Sequence, residues 1–315
     1  MEQKKSIGQI MSQYFIIVIF VALIIVLTIL RPTFLSPDNI VNILRQTAII
    51  GILSFGMMFV IISGGFDMSV GSTIAFTGVL AALLGNGQYP LILALIVAAV
   101  AGLAVGILNG VGIAKGNIPP FIMTLGTMTA IRGLAMIVSD GKPITGTSEE
   151  YRAITSGSVA GIPLLAIYFI IVIVIATFVL SKTVYGRRVY AVGGNTQAAR
   201  VAGINTTFIK ISVFAISGFL AGVCGFLMTS RVTIGQPTAA EQYEMDAITS
   251  CVIGGVSMSG GVGKSWGVVI GALLITVIQN GLDILGVNTN WQKVVKGAII
   301  VIAVLIDVKS KERKN

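Results

Sequence analysis

The chain has 315 residues, of which 55% are hydrophobic and 10% charged, with a mean hydropathy of +0.96. An ordinary globular domain carries about 25% charged residues, so this composition excludes a water-soluble domain and, by its hydrophobicity, a disordered chain. The net charge of +9 comes from cations placed between apolar runs, as membrane topology requires, and this excludes a nucleic-acid-binding face.

The first apolar run covers residues 6–30, and its core at 14–30 approaches the roughly 20 residues of a membrane span. Arg31-Pro32-Thr33 is no small-residue cleavage site, so the run reads as a retained span rather than a signal peptide. Residues 46–66 form a second run. Residues 68–114 hold two more, broken near GNGQYP at 85–90. Further runs follow at 116–139, 153–181, 211–230, 247–262, 265–282 and 290–306. The expected fold is therefore all-α: a polytopic membrane helix bundle of about ten spans, or eight if 247–262 is re-entrant. It forms one domain over 1–315, with broken, Gly-rich segments.

Cation placement sets the orientation. With both termini inside, the inner segments hold Lys4, Lys5, Lys115, Lys182, Arg187, Arg188, Arg200, Lys210, Lys264, Lys309, Lys311, Arg313 and Lys314. The outer segments hold Arg31, Arg45, Lys142, Arg152 and Arg231, beside the acids Asp140, Glu149, Glu150, Glu241 and Glu244. Arg132, Lys293 and Lys296 lie in or at the edge of spans; Arg132 reads as a structural residue able to snorkel to the outer edge.

Histidine is absent, which removes the usual zinc ligand and proton shuttle; the sequence offers no metal site. Cys224 and Cys251 lie in apolar runs outside any CxxC pattern and report no redox compartment.

Two Gly-rich stretches resemble each other. GGFDMSVG at 64–71 and GGVSMSGG at 254–261 share five of eight positions at an offset of 190. They suggest a pseudo-repeat with halves of about 1–155 and 156–308, parallel on this span count. Glycines let a backbone leave the helix, and the freed polar groups must be satisfied by protein or by a wet cavity. Gly64, Gly65, Asp67, Ser69, Gly254, Gly255, Ser257 and Ser259 are thus candidates to line a path; an interfacial turn with Asp67 as a helix cap is the plainer alternative. The stretch ending Gly263-Lys264-Ser265 is no phosphate loop, because the pattern needs glycine where Met258 stands.

Residues 181–210 form the longest polar stretch, with five cations and no acid. Asn195 or Thr196 can cap a short helix through TQAARVA, and Gly203 can end it. The small residues Ala198, Ala199 and Ala202 suit close approach of another protein, so a bulky charge at Ala199 is expected to uncouple that partner; an interfacial helix on anionic headgroups is the alternative. GxxxG spacings at Gly102, Gly106 and Gly110, at Gly218 and Gly222, and at Gly267 and Gly271 read as helix packing.

SGGFDMSVGS, VYAVGGNTQAARVAGI and IGGVSMSGGVG resemble signatures of the monosaccharide ABC-transporter permeases, the ribose/xylose/galactose group. FLSPDNIVNILRQ, PPFIMTLGTMTAIRG, GKPITG, TSRVTIGQPTAAEQYEMDAI and NGLDILGV resemble its ribose members, and together the likeness covers residues 33–308. The family's first motif commonly reads GGIDLSVGS; here Phe66 and Met68 replace Ile and Leu and keep the hydrophobicity. The resemblance implies a permease subunit of a binding-protein-dependent importer in the bacterial cytoplasmic membrane, for ribose or else xylose, galactose or a furanosyl signalling compound. It implies a second permease copy, a cytoplasmic ATP-binding cassette protein that alone binds ATP, and an extracytoplasmic sugar-binding protein. It makes the chain a transport subunit with no cofactor and no catalysis of its own. It places coupling at Asn195, Ala198, Ala199, Arg200 and Gly203. An ion-coupled transporter would want buried acids or histidines, with Asp67 the main candidate; an intramembrane enzyme would need clustered acids or metal ligands that the runs lack.

Overall fold

The computed structural model describes residues 7–312. Lys4, Lys5, Arg313 and Lys314 lie outside the described residues. Among those described, the long elements are helices, in the order α1 (Ile7–Leu30), α2 (Pro37–Ile62), α3 (Val70–Leu84), α4 (Leu91–Ala114), α5 (Pro120–Val138), α6 (Glu149–Ser156), α7 (Leu164–Lys182), α8 (Val184–Gly194), α9 (Thr196–Val201), α10 (Thr206–Val232), α11 (Tyr243–Ile253), α12 (Ser265–Ile284) and α13 (Thr289–Glu312). A 3-10 turn over Pro32–Leu35 joins α1 to α2, and a two-stranded hairpin of β1 (Ser158–Val159) and β2 (Ile162–Pro163) precedes α7.

Among the described residues, six helices, α2, α4, α5, α7, α10 and α12, are long and apolar enough to cross a membrane. Large apolar side chains remain exposed on the outer helices, among them Ile29, Ile96, Ile137, Val174 and Phe178. Water cannot stabilise such a surface; lipid can. The chain is a multi-pass membrane helix bundle.

The ten apolar runs do not all form full-length helices. At 1.5 Å per residue, α3 (15 residues) and α11 (11 residues) reach about 22 and 16 Å, short of a hydrocarbon core of about 30 Å. The run at 247–262 becomes the half-helix α11 and then irregular backbone through 264. The run at 153–181 also splits, because Gly157 ends α6 and Ala160 and Gly161 take the positive φ of a hairpin turn. α2 starts well before residue 46, at Pro37, since Ser36 caps it through the Asn39 N–H.

The core is a close-packed set of α2, α3, α4 and α10. The expected GxxxG glycines are consumed here, within the chain. A Cβ on Gly102 would strike Gly218 O and Gly222, and one on Gly106 would strike Phe214 O, so α4 and α10 meet backbone to backbone. Gly267 and Gly271 let α12 lie on Gly254 and Ser250 of the α11 segment. Outside the core, α6 tucks its fully buried Tyr151 against α10, with Tyr151 Oη donating to Phe226 O at 2.8 Å.

This crossing admits no side chain. Gly106→Val is expected to destabilise the folded chain by at least about 1–3 kcal/mol. Gly126→Val, where a Cβ meets nothing within 4 Å, should be neutral. Thermal unfolding of the purified protein in detergent reads both.

Candidate functional site

Two helices end in the same way. Gly64 N donates to Ile61 O and Gly65 N to Val60 O, closing α2 with Gly64 at φ +86°. Gly255 N donates to Val252 O and Val256 N to Cys251 O, closing α11 with Gly255 at φ +81°. Both are Schellman closures, in which a left-handed residue returns two N–H groups to the last turn. The equivalent glycines are Gly64 and Gly255, so the structural offset is 191 rather than the 190 of the letter match.

α2 and α11 run side by side in the same direction: Tyr243 shares a cleft with Gln46, and Cys251 Sγ contacts Ser54 O. The irregular segments that follow them meet at one end of the bundle. Gly261 N donates to Ile62 O at 2.8 Å, and Gly260 lies against Gly64 N. The third partner is α8. A Cβ on Gly193 would collide with Ile62 O and Gly261 N, whereas one on its neighbour Gly194 meets nothing. Tyr190 Oη of α8 donates to Gly263 O at 2.8 Å; burial pushes its pKa up, keeping it a donor. Gly193 and Tyr190 were not singled out from the sequence, since nothing local marks a glycine as a three-way contact.

After α2 the chain turns back into the bundle. Asp67 is 1% exposed and accepts from Ser69 N (3.0 Å), Ser69 Oγ (2.6 Å) and Ser217 Oγ (2.9 Å). Asn109 Nδ2 of α4 donates to Ser69 Oγ at 2.9 Å. One carboxylate thus ties the start of α3 to α4 and to the middle of α10. Thr124 Oγ1 of α5 donates to Phe66 O at 3.3 Å. Asn109 was detectable as a lone amide in an apolar run; Ser217 was not.

The expected path residues differ in exposure. Asp67, Ser69 and Ser257 are buried by protein, as are Gly65 and Gly254, while Gly64, Gly255 and Ser259 are exposed. Ser259 N bonds Ser257 Oγ at 3.3 Å within the second loop.

The short helix α9 forms as capping chemistry requires. Asn195 Oδ1 accepts Ala198 N at 2.9 Å, while Thr196 Oγ1 donates back to Val192 O. Gly203, at φ +80°, ends it. Asn195, Ala198, Arg200 and Gly203 are exposed, but Ala199 is buried at 5% against the bundle. A bulky charge at Ala199 would therefore disturb α9's own seat rather than probe its outer surface. That surface carries Val201, 90% exposed.

The opposite end holds an unexpected layer of charge. Arg132 does not snorkel: its Nη1 donates to Pro237 O and Ala239 O, both at 2.8 Å, satisfying the irregular backbone that leads into α11. Glu244, expected in an outer loop, is buried and lies across from Gly71. Asp246 of α11 pairs with Lys296 of α13 at 3.0 Å, and Lys293 lies 3.8 Å from Glu241. No group of three or more Cys, Asp or Glu side chains able to hold a metal occurs among the described residues.

Residues 39–304 match the family model described as the permease component of the branched-chain amino acid transport system. The chain is 46% identical over 290 residues to the ribose import permease of Bacillus subtilis, covering 91% of this chain and 90% of that protein. It is 38% identical to the L-arabinose ABC transporter permease of Azospirillum brasilense, over 98% of this chain and 91% of that one. It is 35% identical to the xylose transport system permease of Escherichia coli K12, over 89% and 87%. No solved structure matches the chain.

Asp67 is the cheapest place to break this arrangement. Asp67→Ala leaves the Ser69 N–H and the Ser69 and Ser217 hydroxyls without their acceptor, at about 1–3 kcal/mol for each unpaired buried group. Ser217→Ala leaves one buried group, Asp67 Oδ2, without its donor, at about 1–3 kcal/mol in all. Thermal melts of the two purified variants should separate clearly.

Proposed function

The chain belongs to the family of ABC-importer permease components, and from that premise we propose that it is the membrane-spanning subunit of an importer for a monosaccharide, ribose first. It is a transport subunit, not an enzyme. The observation that carries the sugar is the 46% identity, over nine-tenths of both chains, to a protein named for ribose import; relatives named for arabinose and xylose are more distant.

The mechanism follows from this reading. A separate cytoplasmic ATPase hydrolyses ATP, an extracytoplasmic binding protein delivers the sugar, and two copies of the permease enclose the path. Both termini face the cytoplasm, and so does the end that carries α8 and α9. The ATPase docks on α9, whose face offers Ala198, Arg200 and Val201, with Asn195 and Gly203 fixing the helix ends. Movement of α9 reaches α8 directly, and α8 backs onto the end of α2 at Ile62 and onto the second loop at Gly261 and Gly263 through Gly193 and Tyr190. The path runs beside these loops, at Gly64, Gly65, Asp67 and Ser69 on one and Gly254, Gly255, Ser257 and Ser259 on the other. Rearranging them opens the cytoplasmic side. An uncharged sugar suits this route: it needs hydroxyl partners and no guanidinium clamp. The chain itself holds no cofactor.

The test is labelled ribose uptake in cells lacking this chain, with and without its restoration, competed by unlabelled xylose, arabinose and galactose. Restored uptake that only ribose competes is expected. Val201→Asp should insert at parental levels yet fail to import. Uptake that follows the ion gradient rather than the ATP pool would overturn the reading.

A further inference from the structure

A cleft of about 330 Å³ opens at the end opposite α8 and α9, between α2, α10, α11 and α12. Its polar lining is Gln46, Arg231, Tyr243, Gln279 and Asp283, over an apolar floor that includes Ile49. The volume stands at the lower end of the range for small-molecule sites, about 300–1,000 Å³. Five polar side chains converge on this one cleft in a chain with 10% charged residues.

The charges define what fits. Arg231 donates to Asn42 Oδ1 at 3.1 Å, and Asp283 accepts from Gln292 Nε2 at 2.9 Å. Neither is in an ion pair among the described residues. The lining thus offers one cation, one anion, two amides and a tyrosine. An anionic ligand meets Asp283 and a cationic one meets Arg231, while a zwitterion pairs with both, so leucine is the ligand that the test below sets against a polyol. A neutral polyol meets neither penalty, because each hydroxyl both donates to a carboxylate and accepts from a guanidinium. Its C–H faces pack on Tyr243 and Ile49.

The cleft is joined to the loops at the other end by shared helices. α2 carries Gln46 at the rim and Ile62 at the loop junction, about 24 Å apart along the helix. α11 starts in the cleft with Tyr243 and closes with Gly255. We propose that this cleft is the outer subsite of the path, binding a neutral monosaccharide through Gln46, Arg231, Tyr243, Gln279 and Asp283 before the loops rearrange. The inference rests on the reading of the chain as a sugar permease and adds a site to it.

The test uses membranes carrying the whole transporter with the reporter Val232→Cys, an exposed residue of the cleft rim. Cys224 and Cys251 are buried, so the parent chain is the blank. Ribose at millimolar concentration should slow maleimide labelling of the reporter at least fivefold, and leucine should not. Adding Asp283→Asn or Gln279→Ala should raise the ribose needed for half-protection about tenfold. A reporter that ribose does not protect, equal protection with and without those substitutions, or protection by leucine alone would each overturn the site. Ribose uptake by the same cells separates the two readings: uptake without protection removes the subsite and leaves the permease, whereas absent uptake in the parent removes the permease reading itself.

Discussion

A bilayer offers no hydrogen bonds, so backbone that leaves the helix inside it must be satisfied by the protein. This chain leaves the helix at three places within the bundle, and the packing of the rest serves them. Residues 63–69 are held by the Asp67 carboxylate, with Ser69, Ser217 and Asn109 as its network. Residues 254–264 are held by Gly261 on Ile62 O and by Tyr190 on Gly263 O. The approach to α11 is held by Arg132 on two carbonyls. These partners come from α2, α4, α5, α8 and α10.

The glycine seams supply the opposite property. Where Gly102, Gly106, Gly218 and Gly222 bring backbones together, α4 and α10 have no side-chain layer to shear. Close-packed interiors switch between discrete arrangements rather than deform continuously. A close-packed α2–α4–α10 body thus stands beside short segments held by hydrogen bonds. The half-helix α11 stands between them. It is tied to α13 by the Asp246–Lys296 pair at 3.0 Å.

Much of this was readable from the residues. Charge-free stretches located the helices because a single property, the cost of burying charge in lipid, decides them. The short helix α9 and its ends were readable because capping is local: Asn195 and Gly203 act within four residues of themselves. The split of the 153–181 run was not readable, since Gly157 and Gly161 end structure without adding charge. The Asp67 network was half readable. Asp67 and Ser69 are neighbours in the motif, but Ser217 joins from 150 residues away and Asn109 from 40, and apolar flanks conceal both. Ala199 looked like part of an outer face because spacing gives the face of a helix, not which face the bundle covers.

If the ATPase docks at α9 as proposed, its movement is passed through the backbone contact of Gly193 with Ile62 at the end of α2 and Gly261 of the second loop. In the reconstituted transporter, ATP hydrolysis and ribose uptake should be measured together for Gly193→Ala and Gly194→Ala at matched insertion. These neighbours share one helix, yet only the first has no room for a methyl group. Gly193→Ala is expected to keep hydrolysing ATP while import falls at least tenfold, and Gly194→Ala to import like the parent. Equal import by the two variants would contradict it.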